Sequence, residues 1–301
     1  VAAQNDTVIT LTGVTALTAA DFGIGAQGTG SSVTVSAGSA VLSNTVATNA
    51  SAVTTVKDDS ISVALAASLT GSTVDGGAGN DTLTITPTFG AYDATAAWTS
   101  IEKVNLTAGN SGALEIPATI GMSVANNSST GAATVTLLGA NQSVTSASAG
   151  LTTVTMSGVG SSVTVTGSGG LTSTAVGGAL GQVLSNSGAG ASSITASGAA
   201  FTFTGGSGAD TVVMPNATYT ATLTGSTGTD VLEPTGTAVI LSGATISGFE
   251  TLDMSATGTV VNTTLTPAQN NALTTLVSLN GNDVITMSAT GAVTGLASAA
   301  S

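Results

Sequence analysis

The chain has 301 residues with no Cys, no His and no Arg, and its two lysines, Lys57 and Lys103, stand against fifteen acids for a formal charge of −13. Without His or Cys it cannot build a Ser-His-Asp triad, a cysteine nucleophile or an ordinary zinc site. Without clustered Lys or Arg it cannot neutralise a nucleic-acid backbone, so nucleic acid is excluded as a partner, and we read the chain as a non-enzyme.

Charged residues make up 6% of the chain, yet apolar residues reach 42%, mostly Ala and Val among abundant Ser, Thr and Gly. That is neither an acidic disordered tail nor a membrane protein. No apolar run approaches the roughly 18 residues of a spanning helix, so no transmembrane segment is expected, and the first residues show no secretion-type leader pattern.

Residues 1–70 carry strand-like pieces at 7–11, 32–35 and 60–63, too irregularly spaced to assign a repeat, and form an irregular β-rich segment. Residues 71–103 hold the first glycine loop, Asp75-Gly76-Gly77-Ala78-Gly79-Asn80-Asp81-Thr82-Leu83, an interruption at 87–93, and then Trp98-Thr99-Ser100-Ile101-Glu102-Lys103. The loop fits the G-G-x-G-x-D-x-U-x nonapeptide of calcium-binding parallel β-structures. Its glycines permit positive φ and bring carbonyl oxygens close to an ion, while the Asp supplies a hard anionic oxygen. The plainer alternative is an Asx turn closing a hairpin.

Residues 104–204 form a regular, nearly uncharged array with Glu115 as its only acid. Core positions recur about every ten residues, at Val104, Leu114, Val124, Val135, Val144, Val154, Val163, a gap at Thr174, then Val183, Ile194 and Phe203. Each lies in a short alternating stretch such as Thr134-Val135-Thr136, and alternation at period two marks a strand. Two strands per turn give a coil of about 20 residues. An antiparallel sandwich also shows turn signals at this spacing. Very short strands, small inward residues and only eight aromatics favour an all-β parallel solenoid, whose coils bury little bulk each and gain stability by stacking.

Residues 205–301 make a second loop-bearing solenoid segment. Gly205-Gly206-Ser207-Gly208-Ala209-Asp210 and Gly225-Ser226-Thr227-Gly228-Thr229-Asp230 end in acids twenty residues apart, and Glu250 follows at the same interval, as Glu102 follows Asp81. In a 20-residue coil these carboxylates stack at roughly 4.8 Å, which is repulsive unless a cation lies between them. Calcium fits best, with several ions expected. The ligand set drawn from this register is Asp75, Gly77, Gly79, Asp81 and Glu102 in the first unit, and Gly206, Gly208, Asp210, Gly228, Asp230 and Glu250 in the second. Asp6, Asp58, Asp59, Asp253 and Asp283 are read as turn or strand-edge acids. Thr266-Pro267 with Gln269 predicts a short helix near 266–277, and a last strand signal lies at 281–285.

The two glycine loops, the Ile101-Glu102 and Phe249-Glu250 segments and the Ala/Thr/Ser/Val filler resemble the RTX-type surface-layer proteins of Gram-negative bacteria. The resemblance implies a calcium-dependent β-solenoid, exported unfolded by a type I system, that assembles with copies of itself into a two-dimensional lattice on the cell surface. It carries ion ligation onto Asp81 and Asp210, onto the carbonyls of Gly77, Gly79, Gly206 and Gly208, and onto Asp230. RTX toxins string the nonapeptide in tandem and this chain does not, which argues against a toxin-type β-roll. Attachment to outer-membrane lipopolysaccharide rests on the resemblance alone. A repeat or stalk segment of a large secreted RTX-type adhesin shares every local feature and stays open as the alternative.

Overall fold

A computed structural model describes residues 30–35, 41–44, 47–48, 50, 52–63, 72–86, 98–107, 113–116, 123–127, 131–176, 181–215, 217–255, 260–277 and 282–294. The strand piece expected at 7–11 and the interruption at 87–93 lie outside them. The fold is an all-β parallel solenoid of about nine turns with roughly 21 residues per turn and almost no helix.

One eleven-stranded parallel sheet runs from Ser32–Val35 to Thr245–Ser247, and a nine-stranded parallel sheet from Ala113–Ile116 to Thr275–Val277. From Lys103–Leu106 to Thr251–Asp253 the chain alternates between them, each turn contributing one strand to each. Of these two sheets, the described residues before Lys103 contribute to the long one alone. A third face closes the triangle near both ends. At the N-terminal end it is built from Val41–Leu42, Ala47–Thr48, Thr73–Asp75 and Trp98–Thr99, and at the C-terminal end from Ala217–Thr218, Val239–Ile240, Asn262–Leu265 and Val284–Met287. Between them that face is reduced to turns among the described residues.

Strand alternation converts directly into burial. In Thr152–Met156 the inward Val154 and Met156 are buried while Thr153 and Thr155 are half-buried on the outside. Register stacks like on like: Lys103, Ser123, Ser143 and Ser162 form one outer column, and Val104, Val124, Val144 and Val163 the inner column beside it. Each buried Val or Leu is worth about 1.5–3 kcal/mol against exposure, and the columns repeat that gain coil by coil without a thick core.

The inner columns correct two expected core positions. Val163 is followed in its column by Leu184 and then Phe203, so Val183 points outward and is 42% exposed. The gap in the second sheet falls on Ser173, aligned between Val154 and Ile194, whereas Thr174 lies on the outer face. The Ser173 hydroxyl donates to Val154 O at 2.7 Å, so a buried polar side chain is satisfied by the neighbouring coil. A register shift between Ser173 and Val176, and a coil one residue longer, displace the chain from a strict ten-residue count.

The expected helix spans Pro267–Ala272, shorter than 266–277 because Thr275–Val277 joins the second sheet. Thr266 and Gln269 form a reciprocal capping box, with Pro at the start where its missing N–H costs nothing. The helix takes the place the next strand of the long sheet would occupy. Gln269 Nε2 donates to Leu241 O and Ala244 O, each at 2.8 Å, occupying acceptors of the last coil. That covers part of a sheet edge that would otherwise invite another chain.

Candidate functional site: carboxylate ladders at the corners of the solenoid

The stacked acids sit immediately before a strand, where the chain turns a corner, and in a turn the backbone N–H lacks the regular ladder partner. Each stacked carboxylate reaches back one coil and accepts that N–H. In the first ladder Asp59 accepts from Ser31 N, Asp81 Oδ1 from Asp59 N at 2.6 Å, and Glu102 Oε2 from Asp81 N at 2.7 Å. The second repeats the order at a different corner: Asp210 Oδ1 accepts from Ser192 N at 2.7 Å, Asp230 Oδ1 from Asp210 N at 2.8 Å, and Glu250 Oε2 from Asp230 N at 2.9 Å. The first ladder opens strands of the long sheet and the second opens strands of the nine-stranded sheet. Asp283 Oδ1 does the same for Val261 N at 2.9 Å on the third face.

Both ladders run Ser, Asp, Asp, Glu, and the last member ends them for a backbone reason. Asp59 O and Asp210 O each accept one main-chain N–H, from Thr82 and Val231. Asp81 O accepts two, from Glu102 and Lys103, and Asp230 O accepts two, from Glu250 and Thr251. The Glu N–H is thus already spent on the preceding coil. No further acid is required.

The corner after a long-sheet strand shows why glycine precedes the acid. Where that corner carries Ser146 or Asn186, its side chain bonds Thr152 or Ser192 across the turn, at 2.8 and 3.0 Å. In the next two coils the corner is Gly205 and Gly225 and the facing residue is Asp210 and Asp230. The carboxylate fills the space of the absent side chain: a Cβ on Gly225 would lie 2.5 Å from Asp230 Oδ2.

The second carboxylate oxygens divide into two kinds. Asp59 Oδ2 accepts Thr55 N at 2.5 Å and Asp210 Oδ2 accepts Gly206 N at 3.2 Å, so both oxygens of these acids are engaged. Asp81 Oδ2 and Asp230 Oδ2 are buried with no hydrogen-bond partner, although both residues are fully buried. The difference follows the turn. Gly77 and Ser226 have φ of 95° and 83°, and Gly79 and Gly228 have φ of 135° and 148°. The 76–81 and 225–230 loops therefore match in conformation although the latter lacks the second glycine, and in neither does the N–H after the leading glycine reach the acid. Gly77 N donates instead to Asp75 Oδ1 at 3.0 Å, making Asp75 part of an Asx turn.

Burial raises the carboxyls of Asp81, Asp210 and Asp230 above the usual carboxylate range. For Asp81 the charges of Asp59, Glu102 and Asp58 add to the rise, and for Asp230 those of Asp210 and Glu250. The chain's two lysines are its only side-chain cations against these stacks.

Of the residues expected to ligate an ion, Asp81 with Glu102 and Asp210 with Asp230 and Glu250 are brought together in stacks. Gly206 O accepts Thr227 N at 3.2 Å and so belongs to the main-chain ladder. Among the described residues no three or more acids form a group that could hold a metal. A cation here would draw on one or two carboxylates together with main-chain carbonyls.

Sequence reasoning missed Asp59 as a ladder member, although it precedes Ser60-Ile61-Ser62-Val63 as Asp81 precedes Thr82-Leu83-Thr84-Ile85, a signal that could have found it. It also missed Ser100 and Gly248. Their carbonyls face Asp81 Oδ2 across Gly76 and Asp230 Oδ2 across Gly225, and both residues adopt positive φ, 54° and 66°. Ile101 and Phe249 each precede the Glu of their unit, and both are buried. No helix among the described residues is long and apolar enough to cross a membrane. Comparison with protein families, curated proteins and solved structures finds no match to this chain.

Proposed function

We propose that this chain is a structural protein of the surface-layer kind: it folds around calcium outside the cell and associates with copies of itself into a two-dimensional coat. The observation that carries the reading is the pair of buried carboxylate ladders with orphaned oxygens, set in a chain that has almost no positive charge. Stacked acids in a low-dielectric corner repel strongly, and the glycine-rich turns that hold them are costly to order. A hard divalent cation offsets both. Binding free energy then becomes folding free energy, and the millimolar calcium outside a cell serves as the folding signal.

Assembly follows from what the solenoid presents. Its outer columns are short hydroxyls and small residues with little charge to keep copies apart, and the helix over the C-terminal end of the long sheet favours side-by-side over end-to-end contacts. The same helix also suits a tethered stalk segment of an adhesin, which needs no partner at that end. Type I export and attachment to lipopolysaccharide belong to this proposal through the resemblance alone.

The test is circular dichroism with light scattering as calcium is added to the chelator-treated protein. A gain of β-signal followed by growing sheets or tubes supports the reading. β-Signal with a persistent monomer selects the stalk. No gain in either up to several millimolar calcium would falsify the calcium switch and the coat together.

A further inference from the structure

The ladder acids are not equivalent, and the difference predicts where ions sit. At Asp59 and Asp210 both carboxylate oxygens are held by N–H donors of the chain. Asp81 and Asp230 each keep one buried oxygen with no partner. Beside it stands a main-chain carbonyl oxygen: Ser100 O converges with Asp81 Oδ2 on the point a Cβ of Gly76 would occupy, 2.6 Å from the carboxylate, and Gly248 O converges with Asp230 Oδ2 at Gly225, 2.5 Å away. Gly225 O meets Asp210 Oδ2 at Gly205 in the same way, but there Gly206 N already occupies the carboxylate oxygen. Glu102 and Glu250, half-buried, bond the ladder through Oε2.

We propose that the described coils hold two divalent cations, one at Asp81, Ser100 O and Glu102 and one at Asp230, Gly248 O and Glu250, while Asp59 and Asp210 are inter-coil staples that bind none. This rests on the calcium reading above and narrows it. Each pocket offers two carboxylates and a carbonyl, a charge that one divalent ion balances, and water completes the six to eight oxygens calcium prefers. The two pockets match in every backbone particular: a glycine five residues before the Asp, positive φ at the following residue, and positive φ at the carbonyl donor of the next coil. They occupy different corners of the solenoid, so neither can share an ion with the other. Because the orphaned oxygens are inaccessible once the coils are closed, the ion enters as the coils form and leaves only when they open.

Calorimetric titration of calcium chloride into chelator-treated full-length protein counts the ions. Asp81→Asn, Asp230→Asn, Glu102→Gln and Glu250→Gln should each bind one ion fewer than wild type, whereas Asp59→Asn and Asp210→Asn should bind the wild-type number. The Gln variants leave the Asp in place, so they report even where an Asn variant fails to fold. Terbium emission excited through Trp98, the chain's one tryptophan, which pairs with Val74 in the coil of the first pocket, should vanish in Asp81→Asn and survive in Asp230→Asn. Loss of an ion in Asp210→Asn, or no loss in both Asp81→Asn and Asp230→Asn, overturns the assignment while leaving calcium binding intact. Wild-type protein that takes up no calcium removes the parent reading as well.

Discussion

Asp230→Asn should help the calcium-free chain to fold, whereas Asp210→Asn, one coil away, should hinder it. At Asp210 both oxygens accept an N–H, from Ser192 at 2.7 Å and Gly206 at 3.2 Å. An amide keeps one acceptor and turns an NH2 group on the other N–H. That forfeits a charge-assisted bond worth about 1.5–3 kcal/mol and sets two donors face to face, offset in part by removing a buried charge. The net loss is about 1–3 kcal/mol. At Asp230 only Oδ1 is used, by Asp210 N at 2.8 Å, while Oδ2 has no partner and faces Gly248 O. Asn keeps the acceptor, offers its NH2 to that carbonyl and removes a charge beside Asp210 and Glu250, for a net gain of about 1–2 kcal/mol. The assay is folding without calcium driven by trimethylamine N-oxide, which favours burial by being excluded from the surface, followed by circular dichroism. The Asp230→Asn midpoint should fall below wild type and the Asp210→Asn midpoint rise above it. Two shifts of the same sign would refute the division of the ladder oxygens.

Acidification should promote folding of the calcium-free chain. Asp81, Asp210 and Asp230 have folded-state pKa values raised by burial, so the folded form binds more protons than the unfolded form between the ordinary carboxylate value and the raised one. Stability is then fully present below the ordinary value and lost as pH rises through the raised one. β-Signal measured in chelator should grow as pH is lowered from 7 towards 4, and a flat or opposite profile would contradict the burial of these acids. Gln269→Ala removes both bonds that cover the C-terminal end of the long sheet and half of the capping box. In saturating calcium it should cost about 2–3 kcal/mol, read as a lowered melting temperature, and an unchanged melt would mean that the helix does not close that edge.

The coil and its two principal strands were legible because Val and Thr alternate so regularly that period two and period twenty both stand out. The stacking of Asp81 with Glu102, and of Asp210 with Asp230 and Glu250, followed from counting alone. Val183 was misplaced because Gln182-Val183-Leu184 offers two adjacent branched residues, and a coil one residue longer put Leu184 inside. The role of the acids towards backbone N–H groups was not legible, since composition shows a carboxylate but not which donor lacks a partner at a corner. Nor were Ser100 and Gly248, which contribute through a carbonyl and a backbone angle rather than a side chain. Most of the third face was hidden by strands of two or three residues, too short for alternation to register, whereas its four-residue strand Val284–Met287 did give the signal at 281–285.

The ladder acids lie on either side of the neutral array, and inside that array Ser143 aligns with Ser162 and Thr134 with Thr153. Excising one whole coil there would bring matching columns back into contact and leave every carboxylate with its own donor. Each coil adds or subtracts roughly 4.8 Å of rod. The molecule's reach is therefore adjustable in discrete steps without touching its chemistry, and a shortened or lengthened version should keep the same appetite for ions.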